Sequence, residues 1–182
     1  MGVRQRLMAR AIAYISGGAR AARYLGATVG EHCRILSLEM GSEPWLITIG
    51  DRVTVSGGVQ FLTHDGTGWL YNDDSGRRYR YARVEVGSDV FIGNRSIIMP
   101  GVKIEDKCVV GAGSVVTRSV ESGSVVAGNP ARKVTSYEEL MDRIASWPSS
   151  RDLQGLEPRA RVGRAIQKLV ESPERQPGTQ KL

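Results

Sequence analysis

The sequence predicts an all-β fold, a parallel β-helix of hexapeptide repeats, with a helix before it and helices after it. Aliphatic residues recur at every sixth position through the middle of the chain, and a small or β-branched residue follows each of them four positions later. Glycine contributes 22 of the 182 residues, whereas aromatic residues make up only 6%. This composition fits small aliphatic side chains stacked in layers with tight corners, and not a sandwich filled by large rings.

The six-residue period is unbroken over six consecutive units. The first positions of these units are Val86, Ile92, Ile98, Ile104, Val110 and Val116, and the positions four further on are Val90, Ser96, Val102, Cys108, Ser114 and Val120. A period this short is typical of a parallel β-helix, in which each unit is one short strand and a turn. Three units return the chain to its starting direction, so coils of eighteen residues should stack at the strand spacing of about 4.8 Å. Earlier units begin at Val29, Ile49, Val55 and Phe61.

Residues 1–24 are predicted to form an N-terminal amphipathic helix. Leu7, Met8, Ala11, Ile12 and Ile15 recur at helical spacing, and the glycine pair at 17 and 18 is a weak point. Such a helix either caps the first coil or lies on a membrane surface. We expect it to cap the β-helix, so membrane association is not expected.

The six-residue period is lost after Val134, where the sequence predicts C-terminal helices over residues 136–171. Ser136 and Glu139 have the spacing of a capping box, and Pro148 ends the first of these helices. A second helix is predicted from about Pro158 to Val170. The polar residues 172–182 are predicted to form a disordered tail.

Repeats of the form I-G-x-x-[SAV]-x, followed by VVAGNPARKV, resemble the hexapeptide-repeat acyltransferase superfamily over residues 25–135. Within it, the sugar and polysaccharide O-acetyltransferases are the branch that the sequence looks like. The resemblance implies a left-handed β-helix, an exception to the usual right-handed crossover. It also implies acetyl-CoA as co-substrate and a homotrimer in which the coenzyme lies between two subunits.

His64, in the segment FLTHDG, is the predicted catalytic residue. It lies where a repeat unit breaks off into an insertion, and the catalytic histidine of the family occupies a place of this kind. An imidazole has an ordinary pKa of about 6.5, which suits a general base near neutral pH. The alternative is a turn histidine satisfied by neighbouring backbone. His32, in the segment VGEHCR, is interpreted as a solvated turn residue. Asp65 either orients the imidazole or caps the turn.

The acceptor side and the oxyanion donor are less well defined by the sequence. The family implies a backbone N–H as the oxyanion donor, with the hydroxyl of Thr63 or Ser56 as an alternative. Residues 65–83 are too polar for a repeat and should protrude as a loop, whose candidates for the acceptor pocket are Trp69, Tyr71, Asp73, Asp74, Arg77 and Arg78. The alternative is a mobile loop with ordinary surface residues. Upstream, the irregular LSLEMGSEPWLITI stands where sugar-modifying members often present an Asn.

Coenzyme-binding residues are predicted from register and from the resemblance. Asn94, Ala112 and Pro130 are eighteen residues apart, so they should share one edge unless the irregular SVESGSVV segment shifts the third. Glycines on both sides of Ala112 should leave backbone amides open to a ligand. The other candidates are Gly111, the pair Thr117 and Arg118 that matches a family Thr-Lys pair, and the cations Arg132 and Lys133 for the phosphates.

Several other functions are excluded or disfavoured. The net charge of +6 and the pI of about 9.6 are compatible with a polyanionic partner. Aromatic residues are not interleaved with cations, apart from residues 79–81, so no nucleic acid partner is expected. Two histidines cannot supply a three-histidine zinc site, and the two cysteines have no metal-binding spacing, so no metal is predicted. No signal segment or membrane-length apolar run is found, which predicts a cytoplasmic location.

The sequence therefore predicts an acetyl-CoA-dependent O-acetyltransferase that acts on a carbohydrate hydroxyl, with His64 as general base. One alternative is an N-acyltransferase acting on an amino sugar or a small amine. The other is a β-helix scaffold without catalytic activity.

Overall fold

A computed structural model of the protein describes residues 2–171, and the predicted tail at 172–182 lies outside the described residues. The described chain forms two units, one up to Glu138 and one from Glu139 onward. Most strands are only two or three residues long. In chain order they are β1 (Thr28–Val29), β2 (Arg34–Ile35), β3 (Ile47–Ile49), β4 (Thr54–Val55), β5 (Gln60–Phe61), β6 (His64–Asp65), β7 (Asn72–Asp73), β8 (Gly76–Arg77), β9 (Arg80–Tyr81), β10 (Val84–Val86), β11 (Phe91–Ile92), β12 (Ile97–Ile98), β13 (Lys103–Ile104), β14 (Val109–Val110), β15 (Val115–Val116), β16 (Ser124–Gly128) and β17 (Ala131–Ser136).

The strands stack into three parallel sheets, and successive coils of the chain add one strand to each sheet. The first sheet has the order β1-β3-β10-β13, the second β2-β4-β11-β14-β16, and the third β5-β12-β15. Val86 pairs with Ile104 and Ile92 with Val110, so undisturbed coils are eighteen residues long. The antiparallel strand β17 closes the second sheet beyond β16. The predicted parallel β-helix is thereby confirmed.

The interior of the β-helix is the predicted ladder of aliphatic residues. The six first positions, from Val86 to Val116, are at most 3% exposed, and the six companion positions, from Val90 to Val120, are at most 6% exposed. Buried Ser96 and Ser114 donate hydrogen bonds to the carbonyl oxygen of Gly111, which satisfies their hydroxyls inside the apolar core.

Three coils depart from the eighteen-residue length. In the first coil, Val29 pairs with Ile49 and Ile35 with Val55, twenty residues apart. Between the second and third coils the paired residues, such as Phe61 and Ile98, lie 37 apart because the chain leaves the β-helix and returns. At the last turn, Val110 pairs with Val126, sixteen residues apart.

The N-terminal segment forms two helices, α1 (Val3–Ser16) and α2 (Gly18–Leu25), where the sequence predicts one. Gly17, with a φ of +88°, separates them in a conformation that L residues rarely adopt. Gly18 lies so close to the Ile35 carbonyl oxygen that a Cβ atom would overlap it. Buried Ala21, Ala22 and Leu25 belong to α2, which contacts β1 and β2 as a cap on the first coil.

The chain is not all-β as a whole, because helices precede and follow the β-helix in the sequence. After β17 the structure has α3 (Tyr137–Ala145) and α4 (Pro158–Glu171). A search of the described residues finds no helix with the length and apolar character needed to cross a bilayer.

Candidate active site

His64 lies at a corner of the second coil, directly after the third-sheet strand β5. The preceding residue, Thr63, points inward and is fully buried, whereas the side chain of His64 is 45% exposed. His64 pairs with Tyr81 in the antiparallel β6–β9 ladder, where the chain leaves the β-helix and comes back. The backbone of His64 is therefore fixed by the coil that precedes it and by its pairing with β9. Its ring is accessible to solvent.

Glu43 is the partner of His64, and sequence reasoning missed it. Its Oε2 atom lies 2.9 Å from His64 Nδ1 and accepts a 2.7 Å hydrogen bond from the Thr63 hydroxyl. The Glu43 side chain is only 15% exposed. It comes from the irregular LSLEMGSEPWLITI segment, in which the loss of repeat period was the one signal of a special feature.

Local packing explains how the enlarged first coil carries Glu43 to this position. Met40 and Pro44 are buried on either side of residues 41–43, which form a bulge in the first coil. Pro44 begins a short 3₁₀ turn over Pro44–Leu46. Gly41, with a φ of +64°, passes so close to the second coil that a Cβ atom would lie 3.0 Å from Thr63 Oγ1. The two extra residues of this coil thus allow the bulge to project outward and to bend back over Thr63.

The electrostatics favour an ionised Glu43. Partial burial tends to raise the pKa of this carboxyl, but the hydrogen bonds from Thr63 and His64 outweigh it, and the net pKa is lowered from 4.5. A carboxylate can only accept hydrogen bonds, so Nδ1 of a neutral His64 carries the hydrogen. Within residues 2–171, Nε2 of His64 makes no hydrogen bond.

Thr63 and Asp65 have structural roles. The Thr63 hydroxyl is buried and donates to Glu43, so it is not the oxyanion donor. Asp65 accepts hydrogen bonds from the backbone N–H and the hydroxyl of Thr67 and lies 3.5 Å from Arg80. These contacts, those from Thr67 first, lower the pKa of Asp65. Asp65 therefore caps a turn, and Glu43 is the carboxylate at the imidazole.

The predicted protruding loop, residues 65–83, is an arm with its own structure. It contains a 3₁₀ turn over Gly66–Leu70 and the antiparallel β7–β8 hairpin. A row of side chains leads outward from the histidine: Tyr81 is 5.9 Å from the His64 ring, Tyr79 stacks on Tyr81 at 6.3 Å, and the Arg77 guanidinium lies 4.3 Å from Tyr79 and 4.5 Å from Trp69. These contacts place the exposed rings beside the candidate base and favour that arrangement.

Two cavities meet at His64. The arm cavity, of about 510 Å³, is bounded by Glu43, His64 and the arm residues Asp65, Trp69, Arg77 and Arg78 among others. The helix cavity, of about 360 Å³, lies between α1 and the first two coils. Ser42 and His64 line both cavities.

The remaining predicted acceptor residues lie elsewhere on the arm. Tyr71 packs under Arg78, whose guanidinium is 5.3 Å from the ring. Asp73 pairs with Arg78 at 2.6 Å and caps the hairpin turn through Ser75, and Asp74 is exposed in that turn. None of Tyr71, Asp73 and Asp74 lines the arm cavity.

The predicted coenzyme-binding residues are divided among three places in the chain. Asn94 and Ala112 are exposed at the corner between the second and third sheets, and the Asn94 carbonyl accepts a hydrogen bond from Gly113. Thr117 and Arg118 are exposed at the other end of the third sheet, the corner to which His64 belongs. Arg132 and Lys133 are exposed on β17, which is the third place.

The structure decides one point that the coenzyme prediction left open and contradicts another. Pro130 does not continue the line of Asn94 and Ala112, because the sixteen-residue last turn brings Gly128 beside Ala112. The amides of Gly111 and Gly113 are not open to a ligand, since they donate to the carbonyls of Val126 and Asn94 at 2.8 Å. Gly111 instead permits close stacking, because a Cβ atom there would lie 2.9 Å from that of Ala127.

Comparison with known proteins adds sequence and fold similarity. A family model described as "Hexapeptide repeat of succinyl-transferase" matches residues 83–118. Protein CapG of Staphylococcus aureus is 46% identical over 125 residues, which cover 67% of this chain and 73% of CapG. Galactoside O-acetyltransferase of Escherichia coli (strain K12) is 35% identical over 104 residues, covering 56% of this chain and 48% of that protein. The chain thus spans about half the length of the galactoside enzyme.

A solved structure supports the fold. The structure of a galactoside acetyltransferase in complex with coenzyme A matches with a TM-score of 0.55 and 22% identity, covering 76% of this chain and 84% of that chain. At this level of identity the similarity concerns the fold alone.

The lowered pKa of Glu43 predicts a pH-dependent contribution to stability. A carboxylate whose folded-state pKa lies below its ordinary value of 4.5 stabilises the fold fully above that value, and the contribution is lost as the pH falls through the folded-state pKa. The free energy of unfolding of the wild type should therefore exceed that of Glu43→Gln by more at about pH 5.5 than at about pH 3. Urea denaturation at both pH values measures the two gaps. If the difference in the free energy of unfolding between the two proteins is not smaller at about pH 3 than at about pH 5.5, Glu43 is not ionised as described.

Proposed function

This chain belongs to the hexapeptide-repeat acyltransferase superfamily, and we propose that it transfers an acetyl group from acetyl-CoA to a hydroxyl of a carbohydrate acceptor. Membership makes it an acetyl-CoA-dependent acyltransferase. The proposal adds the carbohydrate hydroxyl, the role of His64 as general base and the left-handed sense of the β-helix. The observation that carries it is the 2.9 Å contact between Glu43 and His64 Nδ1 at the junction of two cavities.

In the proposed mechanism, Nε2 of His64 accepts the hydroxyl proton as the acceptor oxygen attacks the thioester carbonyl. The C–O bond forms, the C–S bond breaks, and the imidazolium returns its proton to the departing thiolate. Glu43 acts as a positioning residue, because its carboxylate fixes the ring through Nδ1 and stabilises the transient imidazolium. A base oriented in this way contributes roughly 10²–10⁴-fold to the rate.

The arm supports a carbohydrate acceptor. Trp69 is 71% exposed and Tyr79 is 64% exposed, yet Arg77 holds both rings in place. Rings of this kind offer flat apolar faces against which a sugar ring can pack, and the polar groups of the arm cavity can bind its hydroxyls. The similarity to a galactoside O-acetyltransferase is in keeping with this class of acceptor.

The coenzyme side of the proposal requires a second subunit. Asn94 and Ala112 belong to a different corner of the β-helix from His64, so one chain alone does not unite them. The outward residues of the third sheet include half-buried Ile97 and Val115, whereas those of the first sheet include Glu85 and Lys103. An aliphatic outer face suits contact with another copy. In the proposed homotrimer, acetyl-CoA lies between the His64 corner of one subunit and the corner of its neighbour that carries Asn94 and Ala112.

The general-base assignment predicts a large and selective loss of turnover. His64→Ala should lower kcat by about 10²–10⁴-fold, because the hydroxyl loses its proton acceptor. The matched control is His32→Asn, since His32 is exposed in a turn with a φ of +57° that Asn tolerates. The measurement is release of the coenzyme A thiol from acetyl-CoA in the presence of a panel of sugars and amino sugars.

Each alternative to this assignment has its own outcome in the assay. Undiminished turnover by His64→Ala would exclude the general base. Absence of acetyl transfer to every acceptor by the wild type would favour a scaffold. Acetylated products formed only from amines would favour an N-acyltransferase.

The shared site predicts complementation between two inactive variants. His64→Ala removes the base, and Ala112→Trp should block the proposed coenzyme channel with a bulky ring at an exposed corner. In trimers assembled randomly from equal amounts of both, about a quarter of the sites should combine an intact His64 from one subunit with an intact Ala112 from its neighbour. The mixture should therefore recover about a quarter of wild-type activity after joint refolding. Recovery of no activity would mean that each site lies within one chain.

A further inference from the structure

We propose that the acceptor carries an acidic group, a carboxylate or a phosphate, which Arg6 and Arg10 of α1 bind in the helix cavity while the reacting hydroxyl lies at His64. This inference rests on the proposed function and narrows its substrate class. Arg6 and Arg10 are four residues apart on α1, so their side chains lie on the same face of the helix. Both line the helix cavity, and so does His64.

The arginines of the two cavities differ in whether they have ionic or aromatic partners within the protein. In the arm cavity, Arg78 pairs with Asp73, Arg80 lies 3.5 Å from Asp65, and Arg77 lies over aromatic rings. Within residues 2–171, by contrast, neither Arg6 nor Arg10 forms an ion pair. Two guanidinium groups without a carboxylate partner suit an acidic ligand, because each offers planar donors for bidentate binding.

The rest of the helix cavity is compatible with one acidic group on a larger ligand. Glu39 is the carboxylate among its lining residues, so the two arginines exceed the negative charge by one. Gln60 and Ser42 add neutral hydrogen-bonding groups, and the floor is apolar: Ala9, Leu25, Leu38, Met40, Phe61 and Leu62. The part of the acceptor that carries the acidic group can cover this floor, while its reacting sugar lies at the junction near Ser42 and packs against the arm.

The alternative anion is acetyl-CoA itself, through its phosphates. The residues predicted for coenzyme binding, such as Asn94, Thr117 and Arg132, line neither cavity. The helix cavity is also formed by α1 and the first two coils of one chain, whereas the coenzyme is proposed to lie between subunits. We therefore assign Arg6 and Arg10 to the acceptor.

Direct binding tests the inference without requiring turnover. The probes for titration calorimetry on the full chain are glucose, glucuronate and glucose 6-phosphate, which separate a carboxylate from a phosphate. The variants are the double substitution Arg6→Gln with Arg10→Gln and the control Arg4→Gln, which removes an exposed arginine of α1 that does not line the cavity. Unchanged thermal unfolding would show that each variant is folded.

The wild type and Arg4→Gln should bind at least one acidic sugar more tightly than glucose, and the double variant should lose about tenfold or more of that affinity. Equal or undetectable binding of acidic and neutral sugars by the wild type would overturn the inference. An acidic preference kept by the double variant, or a loss confined to acetyl-CoA affinity, would also overturn it. Failure of the proposed function would appear separately, as absence of acetyl transfer while the acidic preference remains.

Discussion

Backbone hydrogen bonding between successive coils is the constraint on which the rest of the structure depends. Each short strand pairs with the strand one coil later, so the position of a residue is fixed by the residue it pairs with eighteen positions along the chain, as for Val86 and Ile104. Two or three residues per strand are too few to be stable alone, and the stacked aliphatic interior supplies the burial that holds the sheets together. A coil that keeps the eighteen-residue length presents its side chains only at the positions that this pairing fixes.

The candidate site is built where coils break this constraint. Two extra residues in the first coil form the bulge that carries Glu43 over Thr63. The long departure after the second coil produces the arm and leaves His64 at its base. The shortened last turn leads into the β16–β17 hairpin, on which Arg132 and Lys133 are exposed. The parallel ladder resumes after the first two departures, and the third is held by the β16–β17 pairing, so the coils fix the places where these irregular segments leave the β-helix.

The sequence predicted those features that periodicity encodes. The inward positions from Val86 to Val116 follow from the six-residue period, and His64 was found because a repeat unit ends there. Glu43 could not be predicted, since its bulge has no period and its contact with His64 depends on how much one coil bends over the next. For the same reason the sequence left open whether Asp65, the neighbour of His64, orients the imidazole. In the structure Glu43 makes that contact. The irregular SVESGSVV segment indicated an alternative in which Pro130 is offset, but only the pairing register shows that this coil has sixteen residues.

The tautomer of His64 tests the central claim most directly, because the account requires Glu43 to hold the hydrogen on Nδ1 and leave Nε2 as the base. Long-range ¹H–¹⁵N correlation spectra of the imidazoles, recorded above the pH at which His64 is protonated and assigned with His64→Ala, distinguish the two nitrogens. The account predicts a neutral ring with hydrogen on Nδ1 and an unprotonated Nε2, and a shift of this balance in Glu43→Gln. A neutral ring that carries its hydrogen on Nε2 in the wild type would contradict it.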